Sequence, residues 1–384
     1  MFRTSLEIEQ LSPLLVIYGD LELYWGSYSV KHFIATARAL KKRGWRDYIP
    51  TFNDPRDNAT YMEARMAAEF GGRAPDVILF LQDFGILDTT LWPRKFLRNT
   101  KYLCWYDDTP RGASFEGWKA LLGADILLPT YEYLVQRIPV SDLASKPRIW
   151  MPHSALPAFV LPFNINPQAQ VLLVGMVMSG YPLREQVKAR IDRGDSRLTQ
   201  YSHPGWQVGP SFSHIDDFAN AMNRFLACIL DGSANNFVVA KVFEVPATGS
   251  LLLMSDDLRD ALLALGFEDG RHYLSFNSSS LDATVDWVLL PANRPQVDKI
   301  RAAGQAVAHA RHLTVHRVDA IHLAALEAAR AKADDDAINV GEVSPFPEYA
   351  KWAWKDERSA EFYRGERSYR RARLLVEHEE SRLL

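Results

Sequence analysis

The sequence predicts two consecutive α/β domains, each built on a doubly wound parallel sheet and joined by a short linker. Three observations carry this: apolar runs that are continuous rather than alternating, helical patterns between those runs, and a cluster of prolines midway along the chain. Strands covered on both faces read as unbroken apolar runs. Strand and helix in alternation indicate parallel pairing, because a parallel neighbour is reached only through a crossover connection. With 384 residues, 47% of them hydrophobic, the chain is long enough for two cores.

In the first half the apolar runs lie at 14–18, 77–81, 102–106, 126–128 and 148–151, with amphipathic stretches at 28–43, 60–70 and 114–122. Pro152, Pro157, Pro162 and Pro167 then punctuate a segment without helical period, which reads as the linker. A second series of runs follows at 171–175, 198–201, 225–230, 251–254 and 273–276, interleaved with helices at 183–193, 236–248, 258–265 and 294–309. Residues 1–165 are therefore assigned to an N-terminal domain and 166–335 to a C-terminal one. Residues 336–384, where Trp352, Trp354, Phe362, Tyr363 and Tyr369 stand among mixed charges, are assigned to a tail packing back across both.

Composition removes several classes of function. A net charge of −3 supplies no basic field for a nucleic-acid backbone. The apolar stretch 172–178 is far shorter than the ~20 residues of a spanning helix, so no transmembrane segment is expected. Glu7 and Glu9 interrupt what a signal peptide would keep apolar, and Cys104 and Cys228 read as buried free thiols of a cytoplasmic protein. Neither half carries Gly-x-Gly-x-x-Gly after its first strand, and the chain contains neither a phosphate-binding Gly-x-x-x-x-Gly-Lys-Ser/Thr nor a Gly-x-Ser-x-Gly elbow.

The chemistry concentrates at 231–253. A turn rich in Gly, Ser and Asn follows an apolar strand and opens a helix, where free backbone N–H groups welcome an anion. Lys241 and Glu244 lie three apart on one face of that helix. A lysine there suits a diphosphate, and a carboxylate one turn on has two oxygens to accept from a vicinal diol such as a ribose. An exposed i, i+3 ion pair is the plainer reading of the same spacing.

Lys241-Val242-Phe243-Glu244-Val245-Pro246-Ala247-Thr248-Gly249-Ser250-Leu251-Leu252 resembles the Lys/Arg-x-Phe-Glu-x-x-Ala-x-Gly-x-x-Leu segment of CgeB-like glycosyltransferases, relatives of the glycosyl transferase group 1 family with the GT-B fold. Val174-Gly175 followed by Arg184, the run 266–273 and the run 303–317 keep the same family order, and 105–110 and 151–155 are similar more loosely. The resemblance implies a glycosyltransferase that moves a sugar from a nucleotide-diphosphate donor to an acceptor hydroxyl, in a GT-B architecture and without a cofactor. Glu244 would meet the ribose, and Lys241 and Arg184 the diphosphate. Gly249 and Asn236 belong to the same donor segment; Asn236 stands eight positions before Glu244, where the wider family has a glutamate, and brings hydrogen bonds but no charge. Pro246 interrupts the helix with a missing N–H.

Three strands of the first half run into acids, at Asp20, Asp83 and Asp107-Asp108. Asp107 and Asp108 are the candidates for the general base that takes the acceptor proton, although Asp is also the ordinary cap of a helix after a strand. The basic pair Arg184 and Lys241 can neutralise a diphosphate without a metal, and none is assigned. His203, in the turn 201–206, sits where a nucleobase would rest. Tyr24, Trp25 and Tyr28 serve either an acceptor sugar or the core. His309, His312 and His316 have helical spacing but no cysteine or carboxylate beside them, and are read as structural. A second reading of the chain is a non-catalytic protein of the same fold that binds a nucleotide or glycan, and a third is a nucleotide-sugar epimerase.

Overall fold

The computed structural model describes residues 14–17, 31–48, 68, 75–81, 100–106, 121–131, 146–178, 180–201, 213–232 and 236–330. In the first half, β1 (Leu14–Ile17), β2 (Arg46–Tyr48), β3 (Val77–Leu81), β4 (Lys101–Tyr106) and β5 (Ile126–Pro129) form one sheet in the order β2-β1-β3-β4-β5. Every pairing is parallel, with Leu79 opposite both Val16 and Leu103. α1 (Lys31–Lys42) makes the crossover from β1 to β2. The unbroken burial of β3 is what its Val-Ile-Leu-Phe-Leu sequence dictates, since a strand with one wet face would alternate.

The second sheet holds β6 (Gln168–Leu173), β7 (Leu198–Gln200), β8 (Phe225–Leu230), β9 (Leu251–Ser255) and β10 (Leu274–Phe276), again all parallel, in the order β10-β9-β8-β6-β7. Read from its first strand, this is the same permutation as in the first half. The connecting helices are α2 (Pro182–Asp192), α3 (Ser213–Arg224), α4 (Lys241–Ala247) and α5 (Arg259–Ala264), and α6 (Leu281–Leu289) and α7 (Arg294–Arg311) follow the last strand. Leu172, Cys228, Leu230, Leu252 and Met254 face one apolar cluster, and Val171, Leu173, Ile229, Leu251 and Leu253 face another. The first cluster does not stop at the domain border: it runs through Phe159 of the linker and through Trp150 and Met151 just before it to Trp105, Leu79 and Leu128 of the first sheet.

The linker is held by two buried arginines. Arg317 donates to the carbonyls of Pro152 and His153, both at 2.8 Å, and Arg301 donates to those of Asn164 at 2.9 Å and Gly249 at 3.0 Å. Irregular chain leaves carbonyls without a ladder partner, and a guanidinium with five donors satisfies several at once.

Several expectations change. The run 148–151 is not a strand; it lies beside β5, where Arg148 forms an isolated bridge with Leu127 and the N–H groups of Ile149 and Met151 donate to the carbonyls of Leu127 and Pro129 at 2.9 Å. The fifth strand is β2, whose Arg46 and Asp47 carry no apolar signal. The helix expected over 236–248 is shorter, because Asn236 takes a left-handed φ of +53° and the chain becomes helical only at Lys241. The return to the first domain is made by α8 (Thr314–Arg330), which packs on α1: Trp45 Nε1 donates to His322 Nδ1 at 2.9 Å, and Arg43 pairs with Asp319. The tail at 336–384, expected to make that return, lies outside the described residues.

Candidate functional site

Open parallel sheets bind ligands beyond the carboxyl ends of their strands, where the strand order reverses. In the second sheet that point lies between β6 and β8. Beyond β6 the chain turns at Gly175, whose φ of +94° suits glycine, and a Cβ there would lie 2.5 Å from Arg184 Nη1. Beyond β8 comes Asp231, which organises the neighbourhood. One of its oxygens accepts from the backbone N–H of Leu183 at 3.0 Å and of Arg184 at 3.3 Å, capping α2 where Tyr181, the helix's own cap residue, offers no side-chain bond. Its other oxygen lies 2.9 Å from Arg184 Nε. Arg184 also donates to the carbonyls of Met176 and Asp231 at 3.0 and 2.8 Å, and stacks 3.7 Å over the Tyr181 ring. Burial works against the charged guanidinium, lowering its pKa, and Asp231 opposes this.

Residues 231–232 lead through Asn236 to α4, every residue of which is buried. Glu244 has no exposed surface and Lys241 is 8% exposed. The expected surface ion pair is therefore not what the helix presents: both charges face inward, and a buried carboxylate needs partners. One comes from the other domain. His32, on the first turn of α1, places Nε2 3.2 Å from Glu244 Oε1. Its ring lies 4.9 Å from that of His153 in the linker, whose Nε2 is 3.3 Å from the Tyr131 hydroxyl beyond β5. Tyr131 in turn stacks on Phe237 at 4.1 Å. Residues from both domains thus converge on the carboxylate of α4.

The other assigned residues fall into three groups. Gly249, with φ +81°, ends α4 at the opposite side from Lys241, and a Cβ there would meet Gln305 and Phe163 at 3.0 and 3.3 Å; its place is against α7 and the linker. Asn236 stands before the helix and is partly exposed. Asp107, Asp108, His203, Asp20, Asp83, Tyr24, Trp25 and Tyr28 lie outside the described residues. His32 and Tyr131 escaped sequence reasoning, whereas His153 and Phe237 lie in the runs 151–155 and 231–253 without a role of their own there. His32 sits in an amphipathic helix where it looks like a core residue, and only the fold brings it to Glu244.

His309 Nε2 lies 2.8 Å from the Ala247 carbonyl and His312 Nε2 2.8 Å from that of Leu265, so these rings serve backbone oxygens. Among the described residues, no group of three or more His, Cys, Asp or Glu side chains is placed to hold a metal ion, and no helix is long and apolar enough to cross a membrane. Both cysteines are buried, and burial pushes the Cys228 thiol up to about 12.

Burial drives the pKa of His312 well below the ordinary 6.5. It also lowers His32, against the pull of its bond to Glu244. Both groups take up a proton less readily in the folded protein than in the unfolded chain, so their contribution is complete above about 6.5 and is lost as pH falls below it, with a slope of at most about 1.4 kcal/mol per pH unit for each. Denaturant midpoints should therefore fall steadily from about pH 7 to about pH 5.5; a flat profile would show that these imidazoles are not held neutral.

Residues 184–322 match the glycosyl transferase-like family. No curated protein matches the chain. Among solved structures, the sucrose-phosphate synthase of Thermosynechococcus elongatus aligns with a TM-score of 0.53 at 10% identity, over 79% of this chain and 96% of that one. Anabaena Alr3699/HepE in complex with UDP and glucose aligns with a TM-score of 0.52 at 10% identity, over 80% and 98%. The chain spans 61% of the length of its match in the GtfA/B complex, with 71% of its own residues covered, 14% identity and a TM-score of 0.44. The chain has the GT-B fold, with two doubly wound sheets and C-terminal helices, and its second domain is similar in sequence to the glycosyl transferase-like family.

Proposed function

We propose that the protein is a metal-independent glycosyltransferase that carries a sugar from a nucleotide-diphosphate donor to an acceptor hydroxyl. The observation that carries this reading is the inward-facing pair Lys241 and Glu244 on the helix that follows β8, beside the strand-order reversal and inside the segment that matches the family. Glu244 accepts from the ribose diol and Lys241 meets the diphosphate, stabilising the negative charge that grows on the leaving group. Arg184, held by Asp231 and the Met176 carbonyl, shapes the loop beyond β6 against which the diphosphate lies. The acceptor base is assigned to Asp107 or Asp108, which directly follow β4 in the chain.

The test is release of nucleoside diphosphate from a panel of UDP-, GDP-, ADP- and dTDP-sugars, starting with UDP-glucose because the Anabaena neighbour was solved with UDP and glucose. At least one donor should release its diphosphate, faster when an acceptor hydroxyl is supplied. Binding without release would identify a non-catalytic nucleotide or glycan binder, the role that the missing acid at Asn236 favours. Conversion of the sugar without an acceptor would identify an epimerase.

A further inference from the structure

The guanidinium at the strand-order reversal is turned inward, and each of its nitrogens already has a partner. Arg184 Nε faces Asp231 Oδ1 at 2.9 Å, Nη1 donates to the Met176 carbonyl at 3.0 Å and Nη2 donates to the Asp231 carbonyl at 2.8 Å. The Tyr181 ring covers one face of the group, and 3% of the side chain is exposed. The other carboxylate oxygen of Asp231 accepts from the N–H groups of Leu183 and Arg184. The first turn of α2 therefore has its cap, and a helix end that already faces a carboxylate attracts a second anion weakly.

Backbone is what stays open beyond β6. After the bond from the Val174 N–H to the Ile229 carbonyl at 3.2 Å, among the described residues the N–H groups of Met176, Val177 and Met178 enter no hydrogen bond. Arg184 shapes the turn that carries them in two ways: it holds the Met176 carbonyl, and it approaches Gly175 so closely that a Cβ there would lie 2.5 Å from Nη1.

We propose that Asp231 is a positioning residue for the donor: through Arg184 it fixes the turn 175–178, and this turn, rather than the guanidinium, lies against the diphosphate beside Lys241. This rests on the reading of the protein as a nucleotide-sugar transferase. It also predicts a sign that charge alone does not. A carboxylate near a diphosphate repels it, so removing that charge strengthens donor binding if Coulomb interaction decides. Removing the group that orders the turn weakens binding instead.

The test begins with Asp231→Asn, which keeps the volume and one acceptor oxygen for the cap of α2 but takes away the charge facing Arg184 Nε. Titration uses UDP-glucose, or whichever nucleotide-sugar the release screen selects. Affinity should fall by about tenfold or more, the scale of one hydrogen bond to a charged group lost from the site. Equal or tighter binding in Asp231→Asn, with the donor lost in Glu244→Gln, would overturn the positioning role and leave the proposed function standing. The double replacement Arg184→Met with Asp231→Leu separates positioning from folding. Its unfolding midpoint should return toward that of the original protein while its donor affinity stays weakened; recovery of both would show that the pair serves stability alone. Independently of any ligand, amide hydrogen exchange of free Asp231→Asn should show loss of protection over 176–184 with β8 unchanged, and unaltered exchange there would overturn the proposal. An original protein that binds no nucleotide-sugar would overturn both this role and the proposed function.

Discussion

Replacing Asp231 with alanine is expected to lower the stability of the protein by about 3–5 kcal/mol, the range for breaking a buried ion pair from one side. Three roles end together. The Arg184 guanidinium, 3% exposed, loses its counter-charge. The first turn of α2 loses the acceptor for two N–H groups, which no side chain of its own replaces. The loop at Gly175 loses the anchoring of the arginine that presses on it. The remaining bonds of Arg184 to two carbonyls satisfy part of its donors but none of its charge. Denaturant unfolding reads the loss directly. The double replacement Arg184→Met with Asp231→Leu removes both charges at once and should recover most of it, because exchanging a buried pair for apolar side chains is often close to neutral. A single-variant loss below about 1 kcal/mol would mean that the pair is weakly coupled to the fold.

The second large effect concerns affinity rather than stability. Glu244→Gln keeps the size of the side chain, but it offers one acceptor oxygen where a diol needs two and carries no charge. Two hydrogen bonds to a charged group at about 1.5–3 kcal/mol each place the expected weakening of donor binding at roughly a hundredfold or more. Lys241→Met removes a compact charge from a nearly closed site and should weaken the same donor by roughly tenfold to a hundredfold.

Much of the fold was legible because parallel strands buried on both faces leave unbroken apolar runs: β3 and β8 occupy the positions read from sequence, at 77–81 and 225–230. β2 was not legible, since a three-residue edge strand reading Arg-Asp-Tyr carries no periodic signal. The start of α4 was misread because nothing in the composition of 236–240 reveals the left-handed turn at Asn236. At the site, the family resemblance drew attention to Lys241 and Glu244, but their spacing also suited a solvent-exposed pair, and only burial distinguishes the two. Arg184 was legible as a charge near the first turn of the domain. Its capture by Asp231 depends on the adjacency of β6 and β8, which pair with Val171 opposite Ala227 although β7 and α3 intervene in the chain. His32 and His153 show the same limit more sharply, because their proximity to Glu244 and to each other is a product of how the two domains close.

The most direct measurement of the central claim is calorimetric titration of the original protein, Lys241→Met and Glu244→Gln with the nucleotide-sugar that the release screen selects. The expected result is one saturable site in the original protein, weakened in Lys241→Met and lost or nearly lost in Glu244→Gln, with all three proteins folded. Equal affinity in all three would contradict the assignment of α4 as the donor site.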